Sequence, residues 1–146
     1  MPQPTRIQDE EYARLLAVRT ELRRFEHWSA DRAAEQGLTA SQHQLLLVIR
    51  GHQAGKDRHL DVPGPTIGEV ADHLFVRHHT AVELADRTQE LGLVKRQRDR
   101  DDHRVVRLTL TPAGRRRLTR LTAAHLEELA RVSRLIETLL SEIGAA

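Results

Sequence analysis

The stretch "TIGEVADHLFVRHHTAVELADRTQELGLV", Thr66 to Val94, constrains the fold most. Thr66 and Glu69 stand at T-x-x-E spacing, a capping box that satisfies orphan amides at a helix start. Ile67, Val70, Ala71 and Leu74 then recur at intervals of three and four or adjoin, which gives one face of a short helix. "FVR" is a break. A second helix starts near His78 and carries Ala81, Val82, Leu84, Ala85 and Leu91 inward, until Gly92 ends it. Two short helices joined by a tight turn make a helix-turn-helix.

The flanks extend this unit. "LVKRQR" and "VVRLTLT" read as strands, with Val106, Leu108 and Leu110 on one face and Arg107 and Thr109 on the other. The polar "DRDDHR" joins them. Thr111-Pro112 is an N-cap followed by proline at the first helical position, and opens a helix to about Ile143. Upstream, Tyr12, Leu15, Leu16, Val18, Leu22, Phe25 and Trp28 mark a helix from Asp9 to Gln36, stopped by Gly37. A second capping box, Thr39 and Gln42, opens a helix over Leu45, Leu46, Val48 and Ile49. It is apolar on more than one side and therefore central and buried. Gln53 to Pro65 reads as a loop longer than the usual connection.

The predicted fold is mainly α. It is a single domain over 1–146, with a helix-turn-helix, a two-stranded β wing and long N- and C-terminal helices. The end helices, 9–36 and 112–143, carry amphipathic stripes beside a lobe, 39–110, that already has its own core. One chain has too few layers to cover both stripes, so a homodimer is expected.

Composition narrows the function. Aromatic residues are 3% of the chain, which argues against base stacking on single strands as the main activity. Net charge is only +2, but the cations cluster between Arg77 and Arg120. There is no cysteine, which removes disulfides, thiolate zinc sites and cysteine redox sensing. No apolar run reaches the length of a membrane span, and the N-terminus lacks the apolar core of a signal peptide, so a cytoplasmic protein is expected. No nucleophile elbow, phosphate loop or buried carboxylate pair names an enzyme. The nine histidines show neither H-x-x-x-H nor HExxH spacing, and no metal or cofactor is expected.

A helix-turn-helix lays the start of its second helix against base edges in the major groove. Those residues are Arg77, His78, His79 and Thr80; Glu83, further along, is read as facing solvent. The hairpin then reads as a wing that lays cations into the adjacent minor groove, Arg98 and Arg104 among them. Its aspartates repel phosphate, unless Asp102 hydrogen-bonds Arg104 and fixes its fork. Asp99 and Asp101 receive no role beyond keeping the loop tip solvated. Two readings stand beside DNA binding: a winged-helix protein-interaction module, and a metal-responsive regulator.

At this point the residues resemble the MarR family of bacterial winged-helix regulators. The resemblance runs through "GLTASQHQLLLVI", "TIGEVADHL", "HHTAVELADRTQELGLV" and "DRDDHRVVRLTLTPAGRRRL", and is most specific at the D-x-x-D-x-R wing formed by Asp99, Asp102 and Arg104. It implies a homodimer on a pseudo-palindromic operator in double-stranded DNA, usually a repressor, relieved by a small anionic or aromatic effector. It assigns Arg104 to the wing tip, Asp102 to its orientation, and His78 to Thr80 to the recognition helix. Arg87 becomes a support that touches backbone phosphate. The family's effector pocket would use Phe25, Trp28 and His43, with core packing the preferred reading of Phe25 and Trp28. The chain departs from the pattern at Phe75, where glycine is common, at Arg77, Glu83 and Thr88, and in the long Gln53–Pro65 loop.

Overall fold

The computed structural model describes residues 1, 6–56 and 63–143. Its elements are α1 (Asp9–Glu35), α2 (Ala40–Lys56), α3 (Ile67–Leu74), α4 (His78–Glu90), β1 (Val94–Arg98), β2 (Val106–Leu110) and α5 (Pro112–Ile143). Both expected capping boxes form. The Gln42 amide N–H donates to Thr39 Oγ1 at 3.1 Å while Gln42 Oε1 accepts from the Thr39 amide at 3.0 Å. Thr66 and Glu69 repeat the exchange at 3.2 and 3.3 Å.

Three helix ends share one device. After α1 the Gly37 amide bonds to Ala34 O and the Leu38 amide to Ala33 O; after α4 the Gly92 and Leu93 amides bond to Gln89 O and Thr88 O. These are Schellman ends, and both glycines sit at positive φ, 72° and 74°. The end of α3 is built the same way, with the Phe75 and Val76 amides on Asp72 O and Ala71 O. There the left-handed position is held by Phe75, at φ 55° and ψ 42°.

The chain divides into two compact units, residues 33–121 and residues 1–32 with 122–146. In the first, α2 packs against α3, α4 and β2, and Leu45, Leu46 and Ile49 are fully buried, as its two-sided apolar pattern requires. The strands pair antiparallel in the register Val94↔Leu110 to Arg98↔Val106. Leu108 and Leu110 turn inward beside Val70, Ala81, Ala85 and Leu93. Thr88, buried in this core, donates its hydroxyl to Leu84 O at 2.7 Å, so the polar group is satisfied within its own helix. The start of α5 is clamped to the hairpin's base. Thr111 Oγ1 accepts from the Gly114 amide and donates to Gly92 O, and the Thr111 amide reaches Leu93 O.

In the second unit α1 and α5 run antiparallel. Arg14 reaches Glu142 at 3.8 Å near one end, and Ser29 Oγ lies 2.7 Å from His125 Nε2 near the other.

Two local expectations are corrected. Leu91 was expected to point inward; it is 46% exposed, because α4 ends at Glu90 and the reversal at Gly92 gives the inward place to Leu93, which is fully buried. The loop expected from Gln53 begins later. α2 continues to Lys56, since Gln53 and Ala54 are good helix formers and the first proline of the stretch is Pro63. The rest of that expected loop, 57–62, lies outside the described residues.

Candidate nucleic-acid interface

Arg77, His78, His79 and Thr80 all stand exposed at the start of α4. Arg77 is the N-cap residue, at φ −72° and ψ 155°, and offers no side-chain hydrogen bond to the helix. The first turn also lacks an acidic side chain. The first amides of α4 therefore keep their donors free and the dipole's positive end uncompensated, which favours an anion there. Glu83 is exposed, as expected. Arg87 is exposed on the last turn.

The wing is organised by two carboxylates. Arg104 Nε and Nη2 donate to Asp102 Oδ1 and Oδ2 at 3.0 and 3.2 Å, and the Arg104 amide donates to the same Oδ1 at 3.0 Å. The guanidinium is held by both carboxylate oxygens, yet its side chain is 91% exposed. Hydrogen bonds from the Arg104 side chain and then its amide hold the Asp102 carboxyl below the usual carboxylate range.

Asp99, whose role is left open in sequence, is the second organiser. Its Oδ1 accepts the amides of Asp101 and Asp102 at 2.8 and 3.2 Å, and its Oδ2 accepts Arg107 Nε at 2.6 Å. The Arg107 bond, followed by the two amides, lowers its pKa. Arg107 in turn donates to Gly64 O at 3.2 Å and lies 3.6 Å from Glu69 of the α3 capping box. The turn of the wing is thereby tied to the start of α3. A second tie joins β1 to α4: Arg96 bonds Asp86 at 2.6 Å and also Gln89. Arg98 ends β1 exposed, with no ion partner among the described residues.

Arg96 and Arg107 were missed in sequence as positioning residues. Only the β1–β2 register, which sets Gln97 opposite Arg107, brings Arg107 and Asp99 to one end of the hairpin.

The expected effector residues fall in different units. Phe25 and Trp28 stack, with ring centroids 6.0 Å apart, and His125 lies 4.8 Å from Trp28. His43 belongs to the other unit and is buried. Among the described residues, no three His, Cys, Asp or Glu side chains are grouped to hold a metal ion, and no helix is long and apolar enough to cross a membrane.

Comparison with known proteins agrees with this geometry. The model of the MarR family matches residues 36–105. An HTH-type transcriptional regulator of Bacillus subtilis strain 168, YsmB, is 43% identical over 51 residues, which is 35% of either chain, so the match spans about a third of that relative's length. The fold is shared with the crystal structure of a MarR family transcription regulator, at a TM-score of 0.72 and 21% identity over 93% of this chain and 86% of that one. It is shared also with a mutant MepR of S. aureus bound to an oligodeoxyribonucleotide, at 0.62 and 23% over 92% and 91%. A mutant MarR from E. coli complexed with operator DNA gives 0.63 and 20% over 87% and 90%. Residues 36–105 thus match the MarR family of transcription regulators, and the fold is the one its solved members share.

Proposed function

We propose that the protein binds double-stranded DNA as a homodimer on a pseudo-palindromic operator and acts in the cytoplasm as a repressor released by a small effector. It works by binding, with no catalytic group or metal. The observation that carries this reading is the exposed but immobilised Arg104. A lone surface arginine gains little from such a pairing. A fork held ready for a narrow minor groove loses less entropy when it binds. The open N-terminus of α4 supplies the matching major-groove element, with Arg77, His78, His79 and Thr80 at its tip and Arg87 and Arg98 toward the phosphates.

The dimer is supported by apolar surface on α1 and α5. Tyr12, Leu15, Leu16, Leu126 and Leu140 are each more than half exposed. A second copy presenting the same surface would cover them isologously.

Selection of bound sequences from random duplex DNA, followed by titration of the selected site, tests the reading. Arg104→Ala should lose about 1–3 kcal/mol of binding while its mass in solution stays that of the wild type. Unchanged affinity would remove the wing from the interface. Failure to enrich any duplex would favour a protein-interaction module.

A further inference from the structure

A cleft of about 440 Å³ opens beside the wing, within the unit 33–121. That volume lies within the range of small-molecule sites. Lys95, Arg98, Arg100 and Arg115 line it, and none of the four is drawn into an ion pair among the described residues. The cleft also holds Asp99 and Arg107, but these neutralise each other at 2.6 Å. Among the described residues, Asp101 is the one remaining carboxylate in the wall. The backbone at Gly64, which accepts from Arg107 Nη1, closes one side.

Like charges gathered around a concave space repel one another and focus a positive potential into it. Elsewhere in this chain arginines that lie close to a carboxylate take it, as Arg96, Arg104 and Arg131 do. Here four cations converge on a space too small for a duplex, and among the described residues no aromatic side chain lines it to stack on a ring.

We propose that the wing-base cleft is a binding site for a small, non-aromatic polyanion, a phosphate ester or polycarboxylate, held by Lys95, Arg98, Arg100 and Arg115. This rests on the proposed function in one respect: Arg98 is shared with the DNA-facing wing, so occupancy of the cleft withdraws a cation from phosphate and weakens operator binding. The site thereby gives the proposed effector response a location distinct from the Phe25–Trp28 stack.

Calorimetric titration of the full chain with inorganic pyrophosphate and, separately, with citrate, at ionic strength matched with chloride, reads binding without DNA. The expected result is saturable binding of at least one of the two at one site per chain. It should weaken about tenfold or more in the Lys95→Ala, Arg115→Ala double variant and persist in Arg104→Ala. Binding of one probe alone assigns the phosphate or the carboxylate source. Absence of saturable binding by both probes, or equal binding by the double variant, overturns the site. DNA titration of the double variant without added anion separates the two readings. Unchanged DNA affinity, lost on adding the bound anion in wild type but retained in the variant, supports the cleft. A fall in DNA affinity without anion makes these residues duplex contacts and overturns it. If no duplex is bound at all, the calorimetric result still decides the cleft while the DNA reading falls alone.

Discussion

Asp102 and Arg104 are two residues apart, so their pairing needs only a tight turn, and this made it legible in sequence. Asp99 and Arg107 are eight apart and meet only once the hairpin register is set, which sequence alone did not supply. Asp102→Ala removes a negative charge from the wing, yet it should weaken operator binding about threefold to tenfold, because it frees the Arg104 fork. Tighter binding in a fluorescence titration would show that the carboxylate acts by repulsion. Both carboxyls titrate below the ordinary aspartate range in the folded chain. Their stabilising contribution is therefore complete above about pH 4 and is lost as pH falls through the depressed values. Amide exchange at Asp101, Asp102 and Arg104 should stay slow from neutral pH to about pH 5 and rise only in stronger acid. An increase between pH 7 and 6 would mean that other groups hold the wing.

Phe75 belongs to both residue and element. It is 96% exposed and sits in the left-handed region, where an L side chain costs about 1–2 kcal/mol. In sequence it departs from the glycine expected there, and the Schellman end of α3 is the reason glycine suits the place. Phe75→Gly should stabilise the fold by about 1 kcal/mol after the entropy of glycine is counted. A lower denaturation midpoint for that variant would show a packing role that its exposure does not reveal. Capped ends were the most legible elements, since each cap is a local pattern of a few residues. The clamp between α5 and the hairpin was half legible. Thr111 and Pro112 announced the helix start, but the role of Gly114 depends on a distant backbone: a Cβ there would lie 2.1 Å from Leu93 O. Gly114→Ala should cost about 2–3 kcal/mol in denaturant unfolding. A cost under half a kilocalorie would mean that the clamp yields freely.

For the whole molecule, order of elements and helical periodicity were enough to read the fold, because each apolar stripe names the face it must bury. The stripes of α1 and α5 show this from the other side. Leu16 and Leu126, for example, stay 63% exposed in the single chain. Truncation after Arg131 removes much of the α5 surface and should leave a monomer by sedimentation; a well-folded dimer from that truncation would refute the assignment of the end helices. Affinity for DNA as a function of salt tests the central claim most directly. Counterion release makes log affinity fall linearly with log salt, by about 0.9 per neutralised phosphate. The full chain on its selected duplex should show a steep slope, made shallower by about one in Arg98→Ala. A flat salt dependence, unchanged by that substitution, would contradict recognition of DNA by the wing and α4.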